Sequence, residues 1–230
     1  NMGLSLIFLE ELLVAEDYFL KALNYLPNHS DSLHWIAYIN FRKGQLSTAQ
    51  DHYLHSLKSD PRSQTSINGC IHFFIEQGLN GQEINVFLNK NGVQLKENEN
   101  FYLKLADSVN VSIDSNISFS LIGIDPRSTM QKSINNYGCY EPLMVEKILK
   151  NVRETDVVYD IGAHIGYYSS IFNNVIKSKE VVSIEPDFYS SNLIKRNTNE
   201  RGIVINKFIG RELGYNTTTL NDLSSMLNLE

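Results

Sequence analysis

Two acidic residues that follow apolar runs are the residues best suited to bind a small molecule in this chain. Asp160 ends the run 156–160 and precedes a turn that contains Gly162 and Gly166. Glu185 follows the next apolar run, 181–184. When a helix joins two parallel strands, their carboxyl ends meet at one edge of an α/β sheet. The spacing therefore predicts a nucleoside pocket at that edge, lined by both carboxylates.

The turn between the two runs indicates which nucleoside would bind. A dinucleotide fingerprint has a second glycine where the backbone approaches the pyrophosphate, and here His164 occupies that position. Asp160 adds a negative charge that would repel a pyrophosphate. S-adenosylmethionine (SAM) has no phosphate and carries a sulfonium and an ammonium group, so it fits this acid better than NAD. Glu185 could accept hydrogen bonds from the ribose of either cofactor, and a strand–helix–strand unit with an incidental acid stays open as the alternative.

The same stretch resembles the FkbM-type family of SAM-dependent methyltransferases. Members carry a similar Asp-x-Gly-Ala-x-Ile-Gly-Tyr-Tyr run and a similar Glu-Pro-Asp, here 160–168 and 185–187. Tyr140-Glu141-Pro142 matches an element ahead of the first strand, and 218–223 is similar to the family's Thr-Leu-Asp-Asp-Leu segment. The resemblance covers roughly residues 100–230. It implies an α/β, Rossmann-like class I methyltransferase domain.

The resemblance also implies the cofactor, the reaction and the residues of the site. The implied reaction is O-methylation of a hydroxyl on a sugar, glycan or secondary-metabolite acceptor, with no metal. Glu141 could reach the methionine ammonium of SAM, or it could be an acid stabilised by a helix dipole. No catalytic base is assigned. The expected SAM-binding residues are Glu141, Asp160, Gly162, Ala163, His164, Gly166, Glu185 and Asp187.

The first third of the chain repeats with a period of 34 residues. This period, with small residues where helices would cross and a closing proline, resembles the tetratricopeptide repeat (TPR), in which each unit is a pair of antiparallel helices. We expect an all-α, TPR-like helical repeat domain that either offers a groove to a protein partner or serves as a structural appendage. The matched pairs are Ala15 and Ala49, Phe19 and Tyr53, Leu23 and Leu57, and Pro27 and Pro61.

Turn signals and alternating patterns predict how the chain is divided. The polar stretch 89–100 separates a TPR-like domain, 1–90, from an FkbM-like domain, 91–230. Alternating apolar residues at 109–113 and 117–121 predict a β-hairpin, and Pro142 suits the first position of a helix. Strands that alternate with helices after residue 156 predict a parallel, doubly wound sheet. Compared with the family, the domain is incomplete at its C-terminal part, and we expect segments to be missing after Gly210 and beyond Glu230.

Composition limits the remaining classes of function. The net charge is −6, and no basic patch points to nucleic acid. No apolar run approaches the ~20 residues of a membrane span, and the first one lacks the basic leader of a signal peptide. The two cysteines, Cys70 and Cys139, are too few for a disulfide framework. We therefore expect a cytoplasmic protein without a membrane span or a nucleic-acid partner.

Two rival functions stay open at the level of the sequence. In the first, the repeats are a protein-interaction scaffold and the methyltransferase domain is degenerate. In the second, the protein is an NAD-dependent dehydrogenase, which His164 and Asp160 disfavour for the reasons given above.

Overall fold

The chain is a mixed α/β protein with a helical N-terminal region. The computed structural model describes residues 3, 11–210 and 217–227. The chain divides into two compact units, Asn1–Ala106 and Asp107–Glu230. Within the described ranges, no helix combines the length and the apolar character needed to cross a membrane. The junction between Gly210 and Arg211, where a segment is expected to be missing, borders residues 211–216, which lie outside the described residues.

The first unit is built from helices that recur at the period seen in the sequence. The first and third described helices begin at residues 12 and 46, and the second and fourth at 30 and 64, so both pairs are offset by 34 residues. Each helix contacts the next one along the chain from the first to the fourth, and the second also contacts the fourth. The helices are α1 (Leu12–Tyr25), α2 (Ser30–Arg42), α3 (Leu46–Ser59), α4 (Gln64–Glu76) and α5 (Gly81–Lys90).

Small residues lie where helices of the first unit approach each other, as the repeat predicts. Ala15, Ala37 and Ala49 are fully buried. A methyl group on Gly3 would come within 2.7 Å of the Phe19 ring, so only glycine fits there without a shift of that ring. Tyr53 is fully buried, and its ring lies 5.4 Å from the Phe73 ring. The repeat therefore alternates small and aromatic side chains to fill its core.

The third repeat departs from the pattern at Glu83, where the first two repeats carry alanine. Glu83 is instead part of a capping box at the start of α5. Its backbone N–H donates to Asn80 Oδ1 at 3.0 Å, and its carboxylate accepts from Asn80 N at 2.9 Å. A 3₁₀ helix, Glu97–Ala106, contacts α5 within the same unit. The first compact unit therefore extends to Ala106, beyond the polar stretch in which the sequence placed the boundary.

The second unit opens with the predicted hairpin. Strands β1 (Val109–Ser112) and β2 (Ser118–Leu121) pair antiparallel, with Val109 opposite Leu121 and Val111 opposite Phe119. The alternating apolar residues therefore share one face, and Val111 and Leu121 are fully buried. Helices α6 (Thr129–Tyr137) and α7 (Pro142–Asn151) follow, and Pro142 occupies the first turn of α7 as expected.

A parallel sheet of three strands forms the centre of the second unit. The elements of this part of the chain are β3 (Val157–Ile161), α8 (Tyr167–Ser170), β4 (Glu180–Ile184), α9 (Phe188–Asn197), β5 (Ile203–Ile205), β6 (Phe208–Ile209), β7 (Thr217–Thr218) and α10 (Leu220–Leu227). The order of the sheet is β3-β4-β5, and the core beside it contains Val182, Ile184 and Leu223. The helix after β3 begins as α8 and continues as a π-helix over Ile171–Ile176. Strands β6 and β7 form a separate two-stranded parallel pair.

Candidate functional site

The turn after β3 folds back onto the end of β4. The backbone N–H groups of Gly162 and Ala163 donate to the Ile184 carbonyl at 2.8 and 3.1 Å. Gly162, His164 and Gly166 all have positive φ, at 74°, 50° and 82°. Glycine adopts this left-handed region without steric cost, whereas histidine does so only when other contacts hold it.

The contact that holds His164 is a hydrogen bond to Glu185. The His164 backbone N–H donates to Glu185 Oε2 at 2.9 Å, and the Asp187 N–H donates to Oε1 at 2.8 Å. Three of the residues predicted from the sequence therefore meet at one carboxylate. An ionised carboxylate offers about four lone-pair sites, so each oxygen of Glu185 retains acceptor capacity.

Asp160 lies at the carboxyl end of β3 in a small network of hydroxyl groups. Ser169 Oγ donates to Asp160 Oδ2 at 2.6 Å, and it lies 2.7 Å from Ser183 Oγ. Ser183 stands opposite Asp160 in the register of β3 and β4. Burial raises the pKa of the Asp160 carboxyl; the hydrogen bonds from Ser169 oppose that rise, and the charge of Glu185 adds to it. Ionisation of Asp160 therefore lowers the stability of the folded state.

The two glycines of the turn serve different purposes. A Cβ built on Gly162 meets no atom within 4 Å, so the backbone there faces open space. A Cβ on Gly166 would lie 3.2 Å from Ile194 Cα, because α9 packs closely against the start of α8. Gly166 therefore serves packing, whereas Gly162 leaves room for a ligand.

Glu141 reaches the same helix start from the other side. It precedes α7 in a left-handed conformation (φ 48°), and its side chain makes no capping hydrogen bond to α7. Instead, its Oε2 accepts a hydrogen bond from the Tyr168 hydroxyl at the start of α8. The Tyr167 hydroxyl accepts a hydrogen bond from the Tyr140 N–H and donates one to the Tyr140 carbonyl, both at 3.0 Å. The Tyr140-Glu141 element is thereby fixed to the helix that follows the turn.

A cleft opens beside Glu141. It has a volume of about 360 Å³ and is lined by Glu141, Pro142, Leu143, Met144 and Lys147. Leu143 and Met144 are exposed. The cleft therefore combines apolar walls with one carboxylate.

Sequence reasoning missed several residues that support the site. Ser183 carried a weak signal, because it is the single polar residue within the apolar run 181–184. Ser169 carried none, since its partner Asp160 lies 9 residues away along the chain. Tyr168 belongs to the run that resembles the family, but its contact with Glu141, 27 residues away, carried no signal. Asn206 also gave no signal, yet its Nδ2 donates to the carbonyls of Glu185 and Pro186 at 2.8 and 2.9 Å. These contacts fix the backbone that carries the Glu185 carboxylate.

Within the described ranges, no three or more His, Cys, Asp or Glu side chains gather as metal ligands would. In comparisons with known proteins, no family model matches the chain and no curated protein matches it. The resemblance drawn from the motifs is therefore a hypothesis.

Proposed function

We propose that the second unit is a Rossmann-like class I methyltransferase domain that binds SAM at the carboxyl ends of β3 and β4. The hydrogen bond between the His164 backbone and Glu185 carries this proposal. It joins the turn after β3 to the acid after β4, and it leaves lone pairs on a carboxylate beside the open backbone of Gly162. A ribose with two vicinal hydroxyls fits that arrangement.

The residues around the turn have separable roles in this proposal. Glu185 accepts hydrogen bonds from the ribose hydroxyls, and Gly162 lets the cofactor approach the backbone. Asp160 and Glu141 place negative charge where a pyrophosphate would be repelled and where a sulfonium and an ammonium group would be attracted. The cofactor supplies an electrophilic methyl group.

The acceptor follows from the family resemblance and from the cleft beside Glu141. We propose O-methylation of a hydroxyl on a sugar, glycan or secondary metabolite. The apolar side chains of Leu143 and Met144 and the carboxylate of Glu141 line this cleft. They would hold an acceptor that has both an apolar face and hydroxyl groups, and alignment of that hydroxyl with the methyl group is the main requirement of the reaction.

Calorimetric titration with S-adenosylhomocysteine tests the proposal, with NAD as the control ligand. We expect micromolar-range binding of the former alone. Asp160→Ala and Glu185→Ala should each abolish measurable binding, whereas Glu154→Gln, an exposed carboxylate change in the same unit, should leave it intact. Normal affinity in both alanine variants would refute the site.

A protein-interaction scaffold is the second candidate function. The 34-residue offset between corresponding helices of the first unit favours it, because stacked helix pairs of this kind present extended binding surfaces. If the folded protein bound neither S-adenosylhomocysteine nor NAD, this candidate would replace the first.

A further inference from the structure

A second cavity lies at the opposite edge of the parallel sheet, next to the amino ends of β4 and β5. Its volume is about 280 Å³. Two loops form it, one leading into β4 and the other joining α9 to β5. It is lined by Asn173, by 177–180, and by Arg201 and Gly202.

The charge of this cavity is opposite in sign to the net charge of the chain. Lys177, Lys179 and Arg201 bring three positive charges, and none of them forms an ion pair with a described acid. Glu180 is the acidic residue of the lining, and one of its oxygens accepts a hydrogen bond from the Val181 N–H at 3.2 Å. The lining carries a net positive charge in a protein whose net charge is −6. Unpaired cations that converge on a cavity favour an anionic ligand.

Ser178 provides an independent sign of a ligand. Its Oγ is buried and has no hydrogen-bond partner among the described residues, although its backbone N–H donates to the Phe172 carbonyl at 3.0 Å. A buried hydroxyl without a partner destabilises the folded state. Ser178 lines the cavity, so rotation of its side chain about χ1 would let the hydroxyl donate to a ligand oxygen there.

The backbone around the cavity is held in place before any ligand arrives. Gly202 has φ +78°, and a Cβ there would lie 2.6 Å from the Val181 carbonyl oxygen, so the loop packs tightly on β4. Arg201 Nη1 donates a long hydrogen bond to the Asn173 carbonyl at 3.4 Å. Most donors of the guanidinium therefore stay available for a second partner.

We propose that this cavity binds the phosphate group of a small molecule. The fork of N–H donors on Arg201 matches two oxygens of a phosphate, and the two lysines add charge without fixed geometry. The Ser178 hydroxyl would donate to a further oxygen. This site shares no residue with the SAM site, so neither proposal depends on the other.

Calorimetric titration of the full chain with inorganic phosphate, against chloride at matched ionic strength, tests the site. We expect saturable binding that weakens about tenfold or more in Arg201→Gln, because a charged hydrogen-bonding partner is lost. Lys132→Gln removes an exposed lysine of α6 and should leave the affinity unchanged. If wild type gave no saturable binding, or if both variants bound phosphate equally well, the proposal would be wrong.

Ser178→Ala gives a second measurement that does not depend on Arg201. In phosphate-free buffer, the melting temperature of this variant should equal or exceed that of wild type, because the change removes an unsatisfied hydroxyl. The rise in melting temperature that phosphate produces should be smaller than in wild type. An unchanged rise would overturn the assigned role of Ser178, and a lower melting temperature without phosphate would show that the hydroxyl already has a partner.

Discussion

Asp160 combines a proposed role in binding with a cost in stability. Burial raises the pKa of its carboxyl above the ordinary value of 3.8. The unfolded chain therefore loses this proton at a lower pH than the folded chain. Above pH 3.8, the mismatch lowers the free energy of unfolding as pH rises through the interval between the two pKa values, and the loss persists at neutral pH.

Asp160→Asn should therefore have opposite effects on stability and on binding. The neutral amide can still accept the hydrogen bond from Ser169, so we expect a higher melting temperature at pH 7 without ligand. Binding of S-adenosylhomocysteine should weaken, because the negative charge is lost. Thermal unfolding and calorimetry measure the two effects, and Glu154→Gln is the control. A lower melting temperature with normal affinity would contradict both expectations.

His34 makes the helical unit sensitive to acid. His34 is 2% exposed, and its Nδ1 has no hydrogen-bond partner in the part of the chain that the structure describes. Burial lowers its pKa to about 4 from the ordinary 6.5. The unfolded chain therefore binds a proton as pH falls below 6.5, while the folded chain resists protonation until about pH 4. Stability is lost between these values, by about 2 kcal/mol at pH 5 relative to neutral pH.

His34→Leu should remove this part of the pH dependence. Denaturant titrations of both proteins at pH 7.5 and pH 5 would measure it. We expect the wild-type midpoint to fall more than that of the variant, since leucine does not titrate. Equal falls in both proteins would show that other groups govern the acid response.

At the scale of elements, the turn after β3 can be tested by a matched pair of glycines. Gly162 and Gly44 both have φ +74°, and a Cβ on either one meets no atom within 4 Å. Alanine at each position should cost the same backbone strain, about 1–2 kcal/mol. Only Gly162→Ala should also weaken the binding of S-adenosylhomocysteine, because its methyl group would occupy the open space at the turn after β3.

Thermal unfolding and calorimetry of both alanine variants would separate strain from binding. If Gly162→Ala lost stability like Gly44→Ala but kept full affinity, the open space at the turn would have no role in binding.

The elements themselves followed closely from local patterns. Alternating apolar residues predicted the hairpin, and Pro142 predicted the start of α7, because both signals act over a few residues. The helix after the turn was predicted as one element, whereas the structure has a π-helix from Ile171 onward. Over ten residues, the spacing of apolar side chains does not distinguish hydrogen bonds to i+4 from those to i+5.

At the scale of the whole molecule, the two proposed sites lie at opposite edges of one sheet. The turn after β3 and Glu185 lie at the carboxyl ends of the strands, and the loops of the phosphate cavity lie at their amino ends. A strand of five residues spans about 16 Å, so the two ligands should not touch each other.

Amide hydrogen exchange should therefore resolve the two ligands. Saturating S-adenosylhomocysteine should slow exchange at 160–166 and 184–187, and phosphate should slow it at 177–180 and 198–202. Each ligand should leave the other pair of segments unchanged. If both ligands protected the same amides, they would bind at one site, and the proposed separation of the two sites would be wrong.

The sequence by itself determined the helical repeat, strands β1 to β4 of the second unit and the residues placed around the turn after β3. These follow from periodicity and from the fixed geometry of parallel strands, which act over short stretches of chain. Only the tertiary structure decided which side chains form hydrogen bonds with residues far away along the chain. Asn197 Nδ2 donates to the carbonyls of Ile122 and Ile165, 75 and 32 residues away. Ser178 has a buried hydroxyl without a partner among the described residues, next to cations that form no ion pair with a described acid. No local pattern encodes such contacts, because they depend on how distant segments pack together.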